Sequence, residues 1–514
     1  MQTEESKQQI KNSVGRAIVV AVSVLLQIAW IMVTAQHLLK NSEIFNTIVT
    51  LLGWVVALHI YARNMNSAYK FSWIILVLMF PVLGLSMYLF FGSQFSNLLV
   101  RKFFESREGV RDHYLPENQD VWDSLQQTDR AIANQAYYIQ HAGGYPVYQN
   151  TDLVYYSDTV EALEALKAEL QKAESFIFME YHAIEDSVAW AGIEQILKQK
   201  AAAGVDVRVF YDDMGSIGFL SKPFTKRLQA EGIQCRVFNP ISPLVNGFMN
   251  NRDHRKITVI DGKVGFTGGY NLADEYFNIT HPYGFWKDSG LKLTGDAVRS
   301  LTATFLEMWS ATQKEPENME PFFPAVSYQA KGNGYVQPYA DSPLRKKRLG
   351  ENVYLNLIKN AKRYIYITTP YLIIDDEMES ELVLAASRGV DVRIVTPGIP
   401  DKKLIYRVTR SYYARLVASG VRIYEYTPGF MHAKQFVCDD EVATVGTINL
   451  DFRSLYLHFE NGCWFYNCKA VHDVKRDFEA VFQDSNEVTE AYSGKRSLTL
   501  RTGECILRLF SPLM

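Results

Sequence analysis

Five cysteines in 514 residues, none in a Cys-x-x-Cys pair, exclude much at once. Cys235, Cys438, Cys463, Cys468 and Cys505 are odd in number and scattered. Neither a disulfide framework nor a zinc site is expected, and the set fits a reducing compartment. An excess of one charge is lacking too. Lys and Arg total 53 against 56 Asp and Glu, a net charge of −3, so bulk electrostatics does not point to nucleic acid. Beyond residue 92 no apolar stretch is long enough to cross a bilayer.

Long apolar runs are confined to the first hundred residues. Ala17–Leu39, Ile44–Ala62 and Phe71–Gly92 are uncharged and contain or approach the roughly 20 residues a helix needs to cross hydrocarbon. Trp30, Trp54, Trp73 and Tyr88 are candidate interfacial anchors. Pro81 and Gly84, inside the third run, are tolerable in a membrane helix. A cleaved signal peptide is the competing reading of the first run, which Lys7, Lys11 and Arg16 precede. Its length and the two further runs argue against cleavage. The expected organisation is a membrane module over 1–100 with candidate spans 17–39, 44–62 and 71–92, then a polar linker over 101–144.

After the linker, helical and strand signals alternate. Ala162–Ala173 reads as a helix, Ser175–Tyr181 as a strand, Val188–Ala203 as a helix capped by Gly204, and Val205–Tyr211 as a buried strand. The pattern then restarts with helix Val353–Ala361, strand Arg363–Thr368, helix Glu377–Arg388, cap Gly389 and strand Val390–Val395. Gly204-Val-Asp-Val-Arg-Val matches Gly389-Val-Asp-Val-Arg-Ile. The spacing predicts two α/β domains with mixed sheets, over 145–325 and 326–514, produced by a gene-scale duplication.

Each half carries one unusual string. His254-x-Lys256-x4-Asp261 is followed by Gly268-Gly269-x-Asn271, and His432-x-Lys434-x4-Asp439 by Gly446-Thr447-x-Asn449. One such string arises by chance in roughly a few per cent of chains this long, but two with matching tails do not. The copies read as two halves of one site. Asp261-Gly262 signals a two-residue hairpin turn. That turn would pair Ile260 with Lys263 and His254 with Gly269, and the same counting pairs His432 with Thr447. Small residues opposite each His would leave room for a ligand beside the backbone. Asp261 and Asp439 then sit at the far ends of the hairpins, where a structural role competes with a catalytic one.

Two His, two Lys and two Asn make a cationic, donor-rich pocket. Protonated lysines offer no lone pair, so the set is poor for metal and suits a phosphoryl oxyanion. One His can attack phosphorus and the other can move the proton. An imidazole so used needs an acceptor on its second nitrogen, and Asp288 and Glu460 are the downstream candidates. The basic run Arg345-Lys346-Lys347-Arg348 is either a solvated face or a contact for anionic head groups.

The duplicated string resembles the signature of the phospholipase D superfamily, and the chain is most similar to bacterial cardiolipin synthases. Lys70–Gly92, Gly268–Tyr276, Ile367-Thr-Thr-Pro-Tyr371 and Gly446–Ser454 carry the likeness. It implies two pseudo-symmetric phospholipase D-like domains behind a transmembrane helical module, a multi-pass protein of the bacterial cell membrane with its catalytic domains in the cytoplasm. It implies transfer of a phosphatidyl group between two phosphatidylglycerol molecules, giving cardiolipin and glycerol, with no cofactor. His254 would be the nucleophile and His432 the acid, the reverse assignment staying open. Lys256, Lys434, Asn271 and Asn449 would hold the phosphate, Glu460 would orient His254, and Asp288 would orient His432. Phosphatidylglycerol and anionic membrane lipid are the implied partners, with no nucleic acid. A phospholipase D hydrolysing lipid to phosphatidic acid, a transferase using another alcohol, a nuclease and a non-catalytic lipid scaffold are the alternatives.

Overall fold

The computed structural model describes residues 18–92 (19, 20, 24, 31, 35, 36 and 38–41 aside), 109–220, 223–241, 250–313, 317–325, 327–345, 347–494 and 498–513. Among them, seven strands form a sheet in the first half. Its order is Thr151–Tyr156, Gly290–Gly295, Val264–Gly268, Lys256–Ile260, Phe176–Tyr181, Asp206–Asp212, Gln234–Phe238. The last three strands are parallel and the rest antiparallel, so the sheet is mixed. The second half repeats the order with Tyr335–Asp341, His458–Tyr466, Val442–Gly446, Gln435–Cys438, Tyr364–Thr368, Asp391–Pro397, Arg422–Tyr426 and an added edge strand, Ser485–Glu487.

The reasons are local. Thr159–Leu170 and Val188–Ala202 each bury one apolar stripe (Leu163, Leu166, Leu170; Trp190, Ile193, Leu197) against the sheet. Gly204 and Gly389 end their helices in the left-handed region, at φ of 90° and 89°. Helix Val298–Ser310 is buried along its whole length between the two sheets, touching strands of both. Phe178, Phe305, Phe436 and Trp464 therefore share one core. Tyr155 of the first half donates to Asp477 of the second at 2.6 Å, and Lys287 pairs with the same carboxylate at 2.6 Å.

Three sequence expectations are corrected. The hairpin loops have three residues. Ile260 pairs with Val264 and Cys438 with Val442, one residue beyond the expected register. Asp261 and Gly262, and likewise Asp439 and Asp440, are all left-handed, which makes room for the third loop residue. His254 and His432 lie outside these ladders, which end at Ile257 opposite Thr267 and Gln435 opposite Val445. Second, the run Phe71–Gly92 is not one helix. Ser67–Met79 stops at Phe80, Pro81–Met87 starts again, and Tyr88–Gly92 finishes as a π-turn. Pro81 has no N–H to give and crowds the preceding turn. Gly84 lets the second limb fold back, since a Cβ there would sit 2.5 Å from the Leu76 carbonyl oxygen. The limbs close around Trp73, Val77 and Tyr88. Third, the stretch expected as a linker contains helices Gly109–Tyr114, Gln119–Thr128 and Arg130–Gly143, with Leu125, Ala136 and Ile139 in the main core.

Glu43–Ala62, 20 residues capped by Ser42, is long and apolar enough to cross a membrane. Most of its surface is exposed, including Ile48, Leu51, Trp54 and Leu58. The expected span 17–39 lies partly outside the described residues.

Candidate active site

Two short strands cross between the halves and set the site. Arg252–Asp253 leaves the first half and pairs in parallel with His458–Phe459, Asp253 opposite Phe459. The next residue, His254, donates its N–H to the Phe459 carbonyl at 2.8 Å. One step further along the same register stands Glu460, whose two oxygens lie 2.9 Å from His254 Nδ1. The other half repeats the device. Gly429–Met431 pairs in parallel with Phe285–Lys287, Met431 opposite Lys287. His432 donates its N–H to the Lys287 carbonyl at 2.7 Å, and its Nδ1 lies 2.5 Å from Asp288 Oδ2. Each imidazole thus meets the other half's carboxylate through Nδ1, which leaves Nε2 for chemistry. Both carboxylates are buried, at 0% and 1% exposure for Glu460 and Asp288.

Lys256 opens the strand that follows His254, and Lys434 immediately precedes Gln435–Cys438. Lys256 Nζ donates to the His254 carbonyl at 2.6 Å, and Lys434 Nζ does the same to the His432 carbonyl. Burial pushes Lys256 down to about 8 and Lys434 down to about 7, against the pull of Glu460 and Asp288. Burial and the adjacent lysines also push both imidazoles down, His432 to about 3 and His254 well below the usual range. His254 feels Lys434 and His432, and His432 feels Lys256. The four groups therefore share one electrostatic environment. Burial raises Asp288, but His432 and Lys434 hold it below the usual carboxylate range. A neutral His432 therefore faces an ionised Asp288.

The small residues after each string have a different use from the one expected. A Cβ on Gly269 would lie 2.0 Å from Asp288 Oδ1, so the space beside that backbone holds the carboxylate rather than a ligand. Thr447, in the matching place, donates its hydroxyl to Glu460 Oε2 at 2.5 Å. The longer acid accommodates a side chain where the shorter one requires none.

The remaining candidates divide. Asn271 spends its amide on the Ala183 N–H at 3.0 Å and the Tyr276 hydroxyl at 2.8 Å. Asn449 Oδ1 is buried without a hydrogen-bond partner. Asp261 and Asp439 are not brought to the pocket. Asp261 accepts the N–H groups of Glu174, Ser175 and Phe176 at 2.7–2.9 Å. Asp439 accepts those of Lys362, Arg363 and Tyr364 over the same distances. Each pins a hairpin tip to the start of the neighbouring strand.

The structure adds residues that the sequence did not single out. His182 and His458 flank His254, with ring centroids 4.9 and 5.5 Å away. Trp286, Tyr276 and Phe430 surround His432 at 5.1, 5.2 and 5.8 Å. One imidazole is set among imidazoles and the other in an aromatic cage. His254, His458 and Glu460 bring ligating atoms within 4.8 Å of one another, a grouping that could grip a cation. Glu460 is already engaged by His254 and Thr447, and buried Lys256 stands beside it, which makes the set a poor one for metal.

Comparison with known proteins identifies the same domain in both halves. A family model described as "Cardiolipin synthase, PLD-like domain" matches twice, over residues 166–309 and 354–482. A second, "Phospholipase_D-nuclease N-terminal", matches residues 48–93. The chain is 33% identical over 504 residues to a cardiolipin synthase of Geobacillus thermodenitrificans, covering 96% of this chain and 99% of that one. It is 32% identical over 474 residues to a cardiolipin synthase of Halalkalibacterium halodurans, covering 91% and 94%. An uncharacterized protein of Streptococcus mutans is 41% identical over 457 residues, covering 89% and 99%. Among solved structures, the phosphatidylserine synthase of Haemophilus influenzae superimposes with a TM-score of 0.57 at 15% identity, over 75% of this chain and 98% of that one, a likeness of fold.

Proposed function

This chain belongs to the cardiolipin synthase family, with its phospholipase D-like domain duplicated, and on that footing we propose that it joins two phosphatidylglycerol molecules into cardiolipin and glycerol. The observation that carries the reading is the crossed pair of His–carboxylate contacts, His254 with Glu460 and His432 with Asp288. Nε2 of His254 attacks the phosphorus of the first lipid. The bond to the head-group glycerol breaks, and the leaving oxygen takes a proton from His432 Nε2. The second lipid's terminal hydroxyl then attacks phosphorus, gives its proton back to His432, and the P–N bond to His254 breaks.

The electrostatics supports this order. Burial strips water from both imidazoles and the lysines beside them add to the effect, so both are neutral. An arriving phosphodiester anion offsets Lys256 and Lys434. His432, held against Asp288, can then carry the proton that the leaving alcohol needs. Both histidines are under a tenth exposed, so water is a disfavoured acceptor and transfer prevails over hydrolysis. Phosphodiester is exchanged for phosphodiester, and the reaction needs no energy donor. The apolar helix Glu43–Ala62 anchors the protein in the membrane with the catalytic halves on the cytoplasmic side, where its substrate is concentrated.

The test is product analysis with purified protein and phosphatidylglycerol vesicles. Cardiolipin with free glycerol in equal amount is expected, and none from His254→Ala or His432→Ala. Phosphatidic acid as the sole product would make the protein a hydrolase, and normal turnover by either variant would remove the shared site.

A further inference from the structure

Beside the phosphate pocket lies a second cavity, of about 660 Å³, whose walls come from several parts of the chain. Arg63 and Asn66 line it from the N-terminal module, and Arg345, Lys347 and Arg348 from the loop that opens the second half. His458 lines it too and joins it to the first site. The His458 ring lies 5.5 Å from that of His254, and its Nδ1 is 3.7 Å from Glu460 Oε1. Arg453 donates to His458 Nε2, and the buried Nδ1 has no hydrogen-bond partner.

Three carboxylates also reach this cavity, and each has other partners. Asp341 accepts the N–H groups of Ser342 and Gly350, Glu351 accepts the Tyr456 hydroxyl and pairs with Arg348, and Glu377 pairs with Lys359. Lys347 is exposed and makes no ion pair among the described residues. Four cationic side chains converging on one chamber suit a phosphodiester.

We infer that this cavity seats the phosphodiester of the second phosphatidylglycerol, the acceptor. The inference rests on the reaction proposed above, and two features of the structure support it. In cardiolipin six bonds separate the two phosphorus atoms, as many as in two backbone residues, which span up to about 7 Å when extended. His458, which lines the chamber, lies a ring-to-ring step of 5.5 Å from His254, so the two pockets adjoin on that scale. Arg63 immediately follows the apolar helix that ends at Ala62, so the chamber opens at the depth where lipid phosphates lie. A lipid held there presents its terminal hydroxyl past His458 to the phosphorus on His254, and the proton of that hydroxyl goes to His432.

The experiment separates the half-reactions in the full-length protein in phosphatidylglycerol vesicles. Exchange of labelled glycerol into phosphatidylglycerol uses the donor site and needs no second phosphate. Cardiolipin formation uses both. Lys347→Gln and Arg348→Gln are each expected to lower cardiolipin formation about tenfold at subsaturating lipid, the loss of one charge-assisted contact. Glycerol exchange should stay within about twofold, since the cations removed lie outside the donor pocket. Lys347→Arg should restore coupling. A parallel fall of both activities, or unchanged coupling in both variants, would overturn the assignment. Inorganic phosphate is the soluble source of the same chemistry. Strong inhibition by it that disappears in Lys347→Gln would assign the chamber to a free anion and overturn the lipid reading. Native protein that shows neither exchange nor coupling removes the proposed reaction itself, which is a different failure.

Discussion

A methyl group on Gly269 should disable His432 without touching it. The position is not left-handed, so alanine meets no backbone strain there. The obstacle is Asp288, whose Oδ1 and Cγ would lie 2.0 and 2.9 Å from the new Cβ. Real Cβ contacts essentially never fall under 3.0 Å, so the carboxylate must retreat by about 1 Å. Its 2.5 Å bond to His432 Nδ1 then leaves hydrogen-bonding range or swings off axis. A misplacement of about 1 Å at a catalytic group costs on the order of 10²-fold in rate, and complete loss of the orienting carboxylate about 10⁴-fold. The expected result for Gly269→Ala is a kcat lowered by about 10²- to 10⁴-fold, with KM nearly unchanged because the group acts in the transition state. A melting curve like the native one shows that the fold survives. The other half supplies a rescue. Thr447 coexists with Glu460, one methylene longer, and hydrogen bonds to it. Gly269→Thr combined with Asp288→Glu copies that arrangement and should recover at least about tenfold over Gly269→Thr alone, a coupling typical of groups in contact. Gly269→Ala within about threefold of native kcat, well under the range for a displaced group, would show that the Asp288 contact does not govern His432.

Asp261→Ala and Asp439→Ala should each lose about 2–4 kcal/mol of stability, since three backbone N–H groups lose a charged acceptor. The folded protein at low temperature should keep kcat within about threefold, because neither carboxylate reaches the pocket. Intact melting with lost turnover would contradict that placement. Lys434 at about 7 and Lys256 at about 8 shed their protons as pH rises through those values, and only the ammonium forms attract phosphate. kcat/KM should therefore fall from about pH 7 upward, more steeply past about pH 8, while kcat holds further because bound phosphate favours the protonated lysines. A kcat/KM profile flat to about pH 9.5 would remove the lysines from phosphate binding.

Much of this fold is readable in local pattern. The stripes of Thr159–Leu170 and Asp376–Ser387, the caps Gly204 and Gly389 and the duplicated phrases all lie within a few residues of the elements they define. What escapes is decided by a single residue or by a distant partner. One extra loop residue moves both hairpin registers, and nothing in Asp261-Gly262 distinguishes two loop residues from three. Pro81 can either kink a membrane helix or end it. Here the fold-back of Gly84 onto Leu76 and Val77 ends it. The helices Gln119–Thr128 and Arg130–Gly143 escape because the first buries only Leu125 and the second buries Gln135 and Gln140 along with Ile132 and Ile139, which blurs the apolar stripe. His182 and His458 carry no spacing signal, since the elements that bring them to His254 are about 70 and 200 residues away in sequence.

The crossed strands explain why duplication alone would not have made this site. Arg252–Asp253 and Gly429–Met431 are two and three residues long, too short to be stable as independent strands, and each exists only because the opposite half offers an edge. Register then does the rest. A parallel pairing that sets Asp253 opposite Phe459 must bring His254 beside Glu460, and one that sets Met431 opposite Lys287 must bring His432 beside Asp288. A one-residue slip in either bridge would turn the carboxylate to the other face of its strand and leave a buried charge without its imidazole. The two acids are therefore tied to the two histidines by backbone pairing before any side chain chooses a rotamer. Neither half can assemble a competent imidazole alone, so the halves separated in solution should be inactive singly and should regain turnover only under conditions that re-form both bridges. Turnover by either half alone would show that the crossed pairing is not what makes the imidazoles competent.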